Sequence, residues 1–265
     1  MIGVLVNSLA EPLVAEVVAA LEHRLAEAGY AIAIVATRGS LADSLAALRG
    51  LLGRGVEGFV LAEPAHAREL AHALHARGLP WIGMAAEADG VEFTVADGHR
   101  RGAELAARYL LSLGHRHLAV IAPTAATLAG VAAALAGSDV SLPAVGTELV
   151  RDLDAAQSAM RLLLEGDDPP TAVICGSDLQ ALTAVRTCLG QGVAVPRAVS
   201  IVGFGDAEFA RRAMPALTTV RIPATRLGFR LAEGLLACLE QEGAPLIFDT
   251  PVKLVVREST GAAAR

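Results

Sequence analysis

Short runs of apolar and β-branched residues alternate along this chain with longer segments in which apolar positions recur every three or four residues. The first pattern predicts buried strands and the second amphipathic helices. Strands are expected at Ile2 to Val6, Ala31 to Ala36, Gly58 to Ala62, Pro80 to Met84 and Glu92 to Val95. Their near-continuous apolar character suits strands covered on both faces. Leu13, Val17, Leu21 and Leu25 form a helical stripe that closes at Ala28-Gly29-Tyr30, where the glycine suits a C-terminal cap. A second series follows Leu113-Gly114-His115. It has strands at Leu118 to Ala122, Gly146 to Val150, Ala172 to Cys175 and Val199 to Phe204, and helices at Asp154 to Leu164 and Asp178 to Leu189. The rhythm then breaks, with a long helix at Thr225 to Leu239 and extended pieces at Leu246 to Asp249 and Lys253 to Arg257.

Strand and helix alternation of this kind builds α/β domains around parallel sheets. Two such series predict two Rossmann-like lobes joined by hinge crossovers. The N-terminal lobe is expected to hold residues 1–110 plus about 223–248, and the C-terminal lobe about 111–222 plus 249–265. A chain of 265 residues is long enough for two cores, and 54% hydrophobic against 19% charged residues is a globular balance.

Charge and motifs remove several functions. The net charge of −6 supplies no footprint for gripping nucleic acid phosphates. No apolar run reaches the roughly 20 residues that span a bilayer, and Met1 leads into Ile2-Gly3-Val4-Leu5-Val6 without the basic flank of a signal peptide. A cytoplasmic protein without membrane contact is expected. Cys175, Cys188 and Cys238 are odd in number and widely spaced, which predicts buried thiols in place of disulfides or metal ligands. His66, His72 and His75 share one expected helix, but no carboxylate or cysteine completes a zinc set, and a solvated helix face explains them better. There is no GxSxG elbow, GxGxxG fingerprint or GxxxxGK[ST] loop, so neither hydrolase chemistry nor nucleotide binding has its machinery. The chain reads as a non-enzyme with no cofactor and no metal.

An ordered set of phrases narrows this further. Ile2-Gly3-Val4-Leu5-Val6 with Glu11-Pro12-Leu13 comes first, followed by Gly55-Val56-Glu57-Gly58-Phe59-Val60-Leu61 and Gly78-Leu79-Pro80-Trp81-Ile82. Val95-Ala96-Asp97 and Leu113-Gly114-His115-Arg116-His117-Leu118 come next, then Pro170-Thr171-Ala172 through Ser177-Asp178 and Val199-Ser200-Ile201 through Gly205-Asp206. Leu217-Thr218-Thr219-Val220-Arg221-Ile222-Pro223 and Val255-Val256-Arg257-Glu258-Ser259-Thr260 close the set. Together these resemble the effector-binding and dimerisation core of LacI/GalR-family transcription regulators over nearly the whole chain. The resemblance implies a fold like that of type I periplasmic binding proteins, a sugar-like or nucleobase-like effector in an interlobe cleft, and a homodimer. It also implies DNA contact only through a helix-turn-helix head, of which nothing precedes Met1-Ile2.

In open α/β sheets ligands bind beyond the carboxyl ends of the strands, where helix N-termini offer N–H donors. That logic singles out Ser8, Glu11, Leu13, Asp97, Thr127, Leu153, Ser177, Gly205 and Asp206. Several have a plainer reading: Ser177 with Asp178, Asp97 and Asp206 all stand where a helix N-cap belongs. Glu11 beside Pro12 favours a helix start electrostatically, with ligand binding the alternative. This chain also departs from the family where effectors are commonly held. Thr127, three residues before Gly130, replaces a clamping arginine, Ser177-Asp178 replaces Asn-Asp, and Gly205-Asp206 replaces Asp-Asp. Leu13 and Leu153 stand where aromatic rings are frequent. Each lost charge-assisted hydrogen bond is worth about 1.5–3 kcal/mol, so a familiar sugar is expected to bind weakly.

The reading is therefore the ligand-sensing and dimerisation domain of a bacterial transcriptional regulator. A stand-alone solute-binding protein and a headless regulator with a degenerate pocket are the alternatives.

Overall fold

A computed structural model describes residues 1–6, 8–37, 40–62, 66–84, 94–95, 98–121, 124–138, 140, 153–240 and 251–263. The chain divides into two compact units, Met1–Gly98 with Pro223–Pro251 and His99–Ile222 with Val252–Arg265.

The first unit is a parallel sheet in the order β2-β1-β3-β4-β5. Its strands are β1 (Ile2–Val6), β2 (Ile32–Ala36), β3 (Gly58–Ala62), β4 (Trp81–Met84) and β5 (Thr94–Val95). Helices α1 (Pro12–Glu27), α2 (Leu41–Leu52), α3 (Ala67–His75) and α8 (Ala224–Leu239) belong to the same unit. Every residue of β1 and β3 is buried, as continuous apolar runs at the sheet centre require. Edge strand β2 departs from that expectation, since it pairs on one side only and leaves Ile34 39% exposed. Leu5, Phe59 and Leu61 meet Leu48, Leu51, Leu70 and Leu74 in one core cluster.

The second unit has the order β10-β9-β8-β7-β6. β6 (Leu118–Ile121), β7 (Ala172–Cys175), β8 (Ser200–Phe204) and β9 (Thr218–Arg221) run parallel, and β10 (Lys253–Val255) closes the edge antiparallel to β9. α4 (His99–Ser112), α5 (Ala125–Leu135), α6 (Leu153–Glu165) and α7 (Asp178–Gly190) complete it. Ile121, Val173, Cys175, Val185, Cys188 and Ile201 share its core. Burial pushes the Cys175 and Cys188 thiols up, to about 12 for Cys188, and all three cysteines are free.

Most expected elements form within a residue or two of their anticipated bounds. β9 is an addition, because Thr218-Thr219-Val220-Arg221 holds a single apolar residue and lacks the continuous apolar run of its neighbours. The expected strand at Gly146 to Val150 and the extended piece at Leu246 to Asp249 lie outside the described residues. The division between units also differs. It falls at 98/99, where 110/111 was expected, because α4 packs on α5 and on strands of the second sheet. Among the described residues no helix is long and apolar enough to cross a membrane.

In the first unit α8 lies against α1 so closely that a Cβ on Gly228 would stand 2.4 Å from the Val17 carbonyl oxygen and 2.8 Å from the Leu21 amide nitrogen. Both obstacles are backbone, so one helix must shift to admit a methyl group. Gly228→Ala is expected to lose about 1–3 kcal/mol of stability by denaturant unfolding despite alanine's better helix propensity. Gly190→Ala, where nothing stands within 4 Å of an added Cβ, is the control and should be neutral or stabilising.

Candidate functional site

The carboxyl ends of β6 to β9 share one edge of the second sheet, and the best-described candidate residues gather there. β7 ends at Cys175, and the chain turns through Gly176 and Ser177 into α7. Ser177 is the N-cap, in extended conformation, and its Oγ accepts a hydrogen bond from the Gln180 N–H at 3.3 Å. A serine cap of this kind is worth about 1 kcal/mol.

Asp178 does something different from capping. It is buried, and its Oδ2 accepts the Ala207 N–H at 2.7 Å while its Oδ1 accepts the Thr219 hydroxyl at 2.5 Å. It thereby ties the start of α7 to the loop after β8 and to β9. β8 runs so close that a Cβ on Gly203 would lie 2.3 Å from Asp178 Oδ1. Desolvation raises the Asp178 pKa from the ordinary 3.8 to about 6, with Asp206 acting in the same direction and the two hydrogen bonds and Arg257 opposing.

Gly205 and Asp206 follow β8, both with positive φ, at 121° and 57°. Aspartate is among the few side chains that tolerate this region. The Asp206 N–H donates to the Thr219 hydroxyl at 3.3 Å. Its carboxylate, only 8% exposed, accepts from Arg221 Nε at 2.5 Å through Oδ2 and from the Arg257 guanidinium through Oδ1. Both oxygens therefore have partners inside the protein. Asp206 heads no helix, so the anticipated capping role is replaced by a two-arginine clamp joining the β8 loop, β9 and the segment after β10. Arg257 also donates to the Leu217 carbonyl at 2.7 Å.

Thr127 lies in the first turn of α5, fully buried, with its Oγ1 2.9 Å from that of Thr124. Thr124 is the N-cap and accepts the Thr127 N–H at 3.1 Å. The hydroxyl standing in for an expected arginine is thus part of a helix start. Leu153 opens α6 and is 42% exposed. In the first unit, Ser8 Oγ accepts the Ala10 N–H at 3.1 Å, Glu11 is the N-cap of α1 by position without a capping hydrogen bond from its side chain, and Leu13 is partly buried behind Pro12. Asp97 lies outside the described residues.

The second unit therefore brings Ser177, Gly205 and Asp206 to one edge and adds Asp178, Thr219, Arg221 and Arg257, none of which was singled out as a site residue. Thr219 and Arg221 are two apart on a strand and so share a face, a signal present in Leu217-Thr218-Thr219-Val220-Arg221. The part played by Arg257 follows only from its pairing across the unit. His99, at the start of α4, stacks on Phe204 with centroids 5.4 Å apart and planes 3° from parallel.

Residues 107–260 match the family of periplasmic binding protein-like domains. The chain is 29% identical over 269 residues to the HTH-type transcriptional repressor PurR of Yersinia pestis (strain Pestoides F), spanning 97% of this chain and 79% of that protein. Its fold is similar to that of a LacI family transcriptional regulator from Enterococcus faecium with bound ribose, at TM-score 0.86, 26% identity and 99% coverage of both chains. It is also similar to the transcriptional regulator CelR in complex with cellobiose, at TM-score 0.83 and 28% identity, covering 97% of this chain and 84% of that one.

The raised Asp178 pKa gives a pH signature. A carboxyl with a higher pKa in the folded state favours folding below about 3.8, and that contribution is lost as pH rises through about 6. Asp178→Asn removes the titration. The stability of the variant relative to the parent is expected to rise by about 3 kcal/mol between pH 3 and pH 7, with about 2 kcal/mol of it between pH 4 and pH 6, and to stay level above pH 7. Denaturant unfolding of both proteins across this range checks it, and a pH-independent difference would show that Asp178 does not titrate there.

Proposed function

We propose, on the premise that this chain belongs to the periplasmic binding protein-like domain family and is the effector-binding core of a LacI-family regulator, that it senses a sugar-like or nucleobase-like molecule at the carboxyl edges of its two parallel sheets and works as a homodimer. The observation that carries the reading is the set of hydroxyl-bearing residues at helix starts on those edges: Ser8 before α1, Thr124 at α5 and Ser177 at α7. Uncommitted N–H groups of a helix first turn suit oxygen-rich ligands. The ribose and cellobiose held by two structural relatives support a sugar-like ligand. Those relatives are transcriptional regulators and not enzymes, in keeping with the lack of any hydrolytic or nucleotide-binding motif here.

Sensing requires that the ligand bind one conformation of the core better than another, since only that difference can move an equilibrium. DNA contact is assigned to a helix-turn-helix segment of the kind named in the Yersinia relative, because the core itself has a net charge of −6.

A second reading, a regulator whose pocket takes no ligand and which acts through its partner chain, is favoured by one observation. Thr127 and Asp206 spend their polar atoms inside the protein.

A thermal-shift screen of sugars, polyols, nucleobases and nucleosides separates the two. A ligand at 100 times its dissociation constant adds about 2.7 kcal/mol of stability. Under the first reading at least one compound shifts the melting temperature, and Ser177→Ala reduces that shift beyond the roughly 1 kcal/mol it loses as a cap. No shift with any compound, in a protein that light scattering shows to be dimeric, selects the second reading.

A further inference from the structure

The carboxyl edge of the second sheet carries more positive charge than its folding requires. Arg221 ends β9 and Lys253 begins β10, and the antiparallel register sets them directly opposite one another. Residues so paired have Cβ atoms about 5 Å apart on one face, and like charges in that relation destabilise a sheet. Both side chains are exposed. Arg221 shares the Asp206 carboxylate with Arg257, so one negative charge serves two guanidinium groups. Lys253 has no acidic partner among the described residues.

Helix α4 packs on the other face of the same sheet, where its Gly102 meets Val220 and Phe204. Its first turn carries His99, Arg100 and Arg101 with no acidic residue, and the stack of His99 on Phe204, the last residue of β8, holds that turn beside the carboxyl ends. Here a chain of net charge −6 sets two cations opposite one another at the strand ends, an arrangement that costs stability. Local choices that conflict with folding concentrate where a protein binds something.

We propose that this edge is an anion subsite that receives a phosphate group of the effector, with Lys253 and Arg221 as its principal contacts. The proposal rests on the preceding reading that the effector sits at the carboxyl edges, and it narrows the ligand class from a neutral to a phosphorylated small molecule. A phosphate monoester carries a charge of roughly −1.5 to −2 near pH 7 and three acceptor oxygens, enough to relieve the repulsion between the paired cations and to accept from both. Arg257 stays committed to Asp206 and to the Leu217 carbonyl.

The test uses the whole chain, with inorganic phosphate, acetate, ribose and ribose 5-phosphate as probes, each against sodium chloride at matched ionic strength. Binding is read by thermal shift and, for phosphate, by 31P line broadening. Ribose 5-phosphate is expected to stabilise more than ribose, and phosphate to broaden. Lys253→Gln should weaken phosphate binding by about fivefold while leaving the melting temperature of the unliganded protein unchanged or slightly raised, because the repulsion from Arg221 is relieved. Lys253 carries the test because it supports no internal ion pair, and Arg221→Gln should show the same loss with some destabilisation. Phosphate acting no differently from chloride, or binding equally well to Lys253→Gln, would overturn the subsite. Acetate binding as tightly as phosphate would overturn the phosphate assignment in favour of a carboxylate. Neutral sugars bound without preference for the phosphorylated form, and unaffected by Lys253→Gln, would overturn the subsite while leaving effector sensing intact.

Discussion

The organisation of the second unit depends on a carboxylate that cannot reach water. Asp178 stands at the first position of α7 with its side chain turned inward, and burying it is tolerable only because both oxygens accept hydrogen bonds. Those two bonds decide where the β8 loop and β9 can lie. They require a glycine at position 203, and they orient the Thr219 hydroxyl, which in turn receives the Asp206 N–H. The left-handed turn at Asp206 is thus held through its backbone N–H, and its carboxylate is then available to clamp Arg221 and Arg257. Three separated stretches of sequence, at 177–178, 203–221 and 257, become one polar structure at the carboxyl edge.

That arrangement bears directly on ligand sensing. In a core built to hold an oxygen-rich ligand, side chains at the strand ends would be left with hydrogen bonds to make. Here Asp206 and Thr127 are already satisfied internally, whereas the capped starts of α5 and α7 and the cationic pair Arg221 and Lys253 are the groups that face outward. Under the proposed reading, backbone amides and the Arg221 and Lys253 charges are what this edge offers a ligand in place of bidentate carboxylates and an arginine fork. On that reading an anionic group gains more from such an edge than a neutral sugar does.

Both units bring one helix backbone against another, the second at Gly130, where a Cβ would stand 2.0 Å from the Arg100 carbonyl oxygen, and they differ in what completes the core. In the first, backbone comes against backbone where α1 meets α8 at Gly228, and apolar side chains supply the rest of its core. In the second, the apolar core around Val173 and Ile201 is finished by polar ties. Ser259 donates to the Ile201 carbonyl, His115 contacts Thr171 and the Gly261 carbonyl, and Thr218 contacts Thr260. Burial lowers the His115 pKa, against the opposing pull of its hydrogen bond to the Gly261 carbonyl. The segment after β10 is therefore an integral part of the unit, as the closing family-like phrase from Val255 to Thr260 implied.

What the sequence by itself determined is what local physics controls. Continuous apolar runs specified β1, β3, β7 and β8 because a centrally placed parallel strand must be apolar on both faces. Three- and four-residue periodicity specified α1, α6, α7 and α8, and Ser177 marked the start of α7 because a hydroxyl beside free amides is a local event. The order of short phrases carried the family. Tertiary structure alone decided the rest. β9 holds only one apolar residue in four, and Thr219 and Arg221 make sense only beside Asp178 and Asp206. α4 belongs to the second unit because of what it packs against, a fact absent from its own periodicity. The fates of Asp178, Asp206 and Arg257 depend on contacts between residues 15 to 51 positions apart. Burial and partnership across such separations are set by the fold, so whether a carboxylate caps a helix, clamps an arginine or meets a ligand is not written in its neighbours.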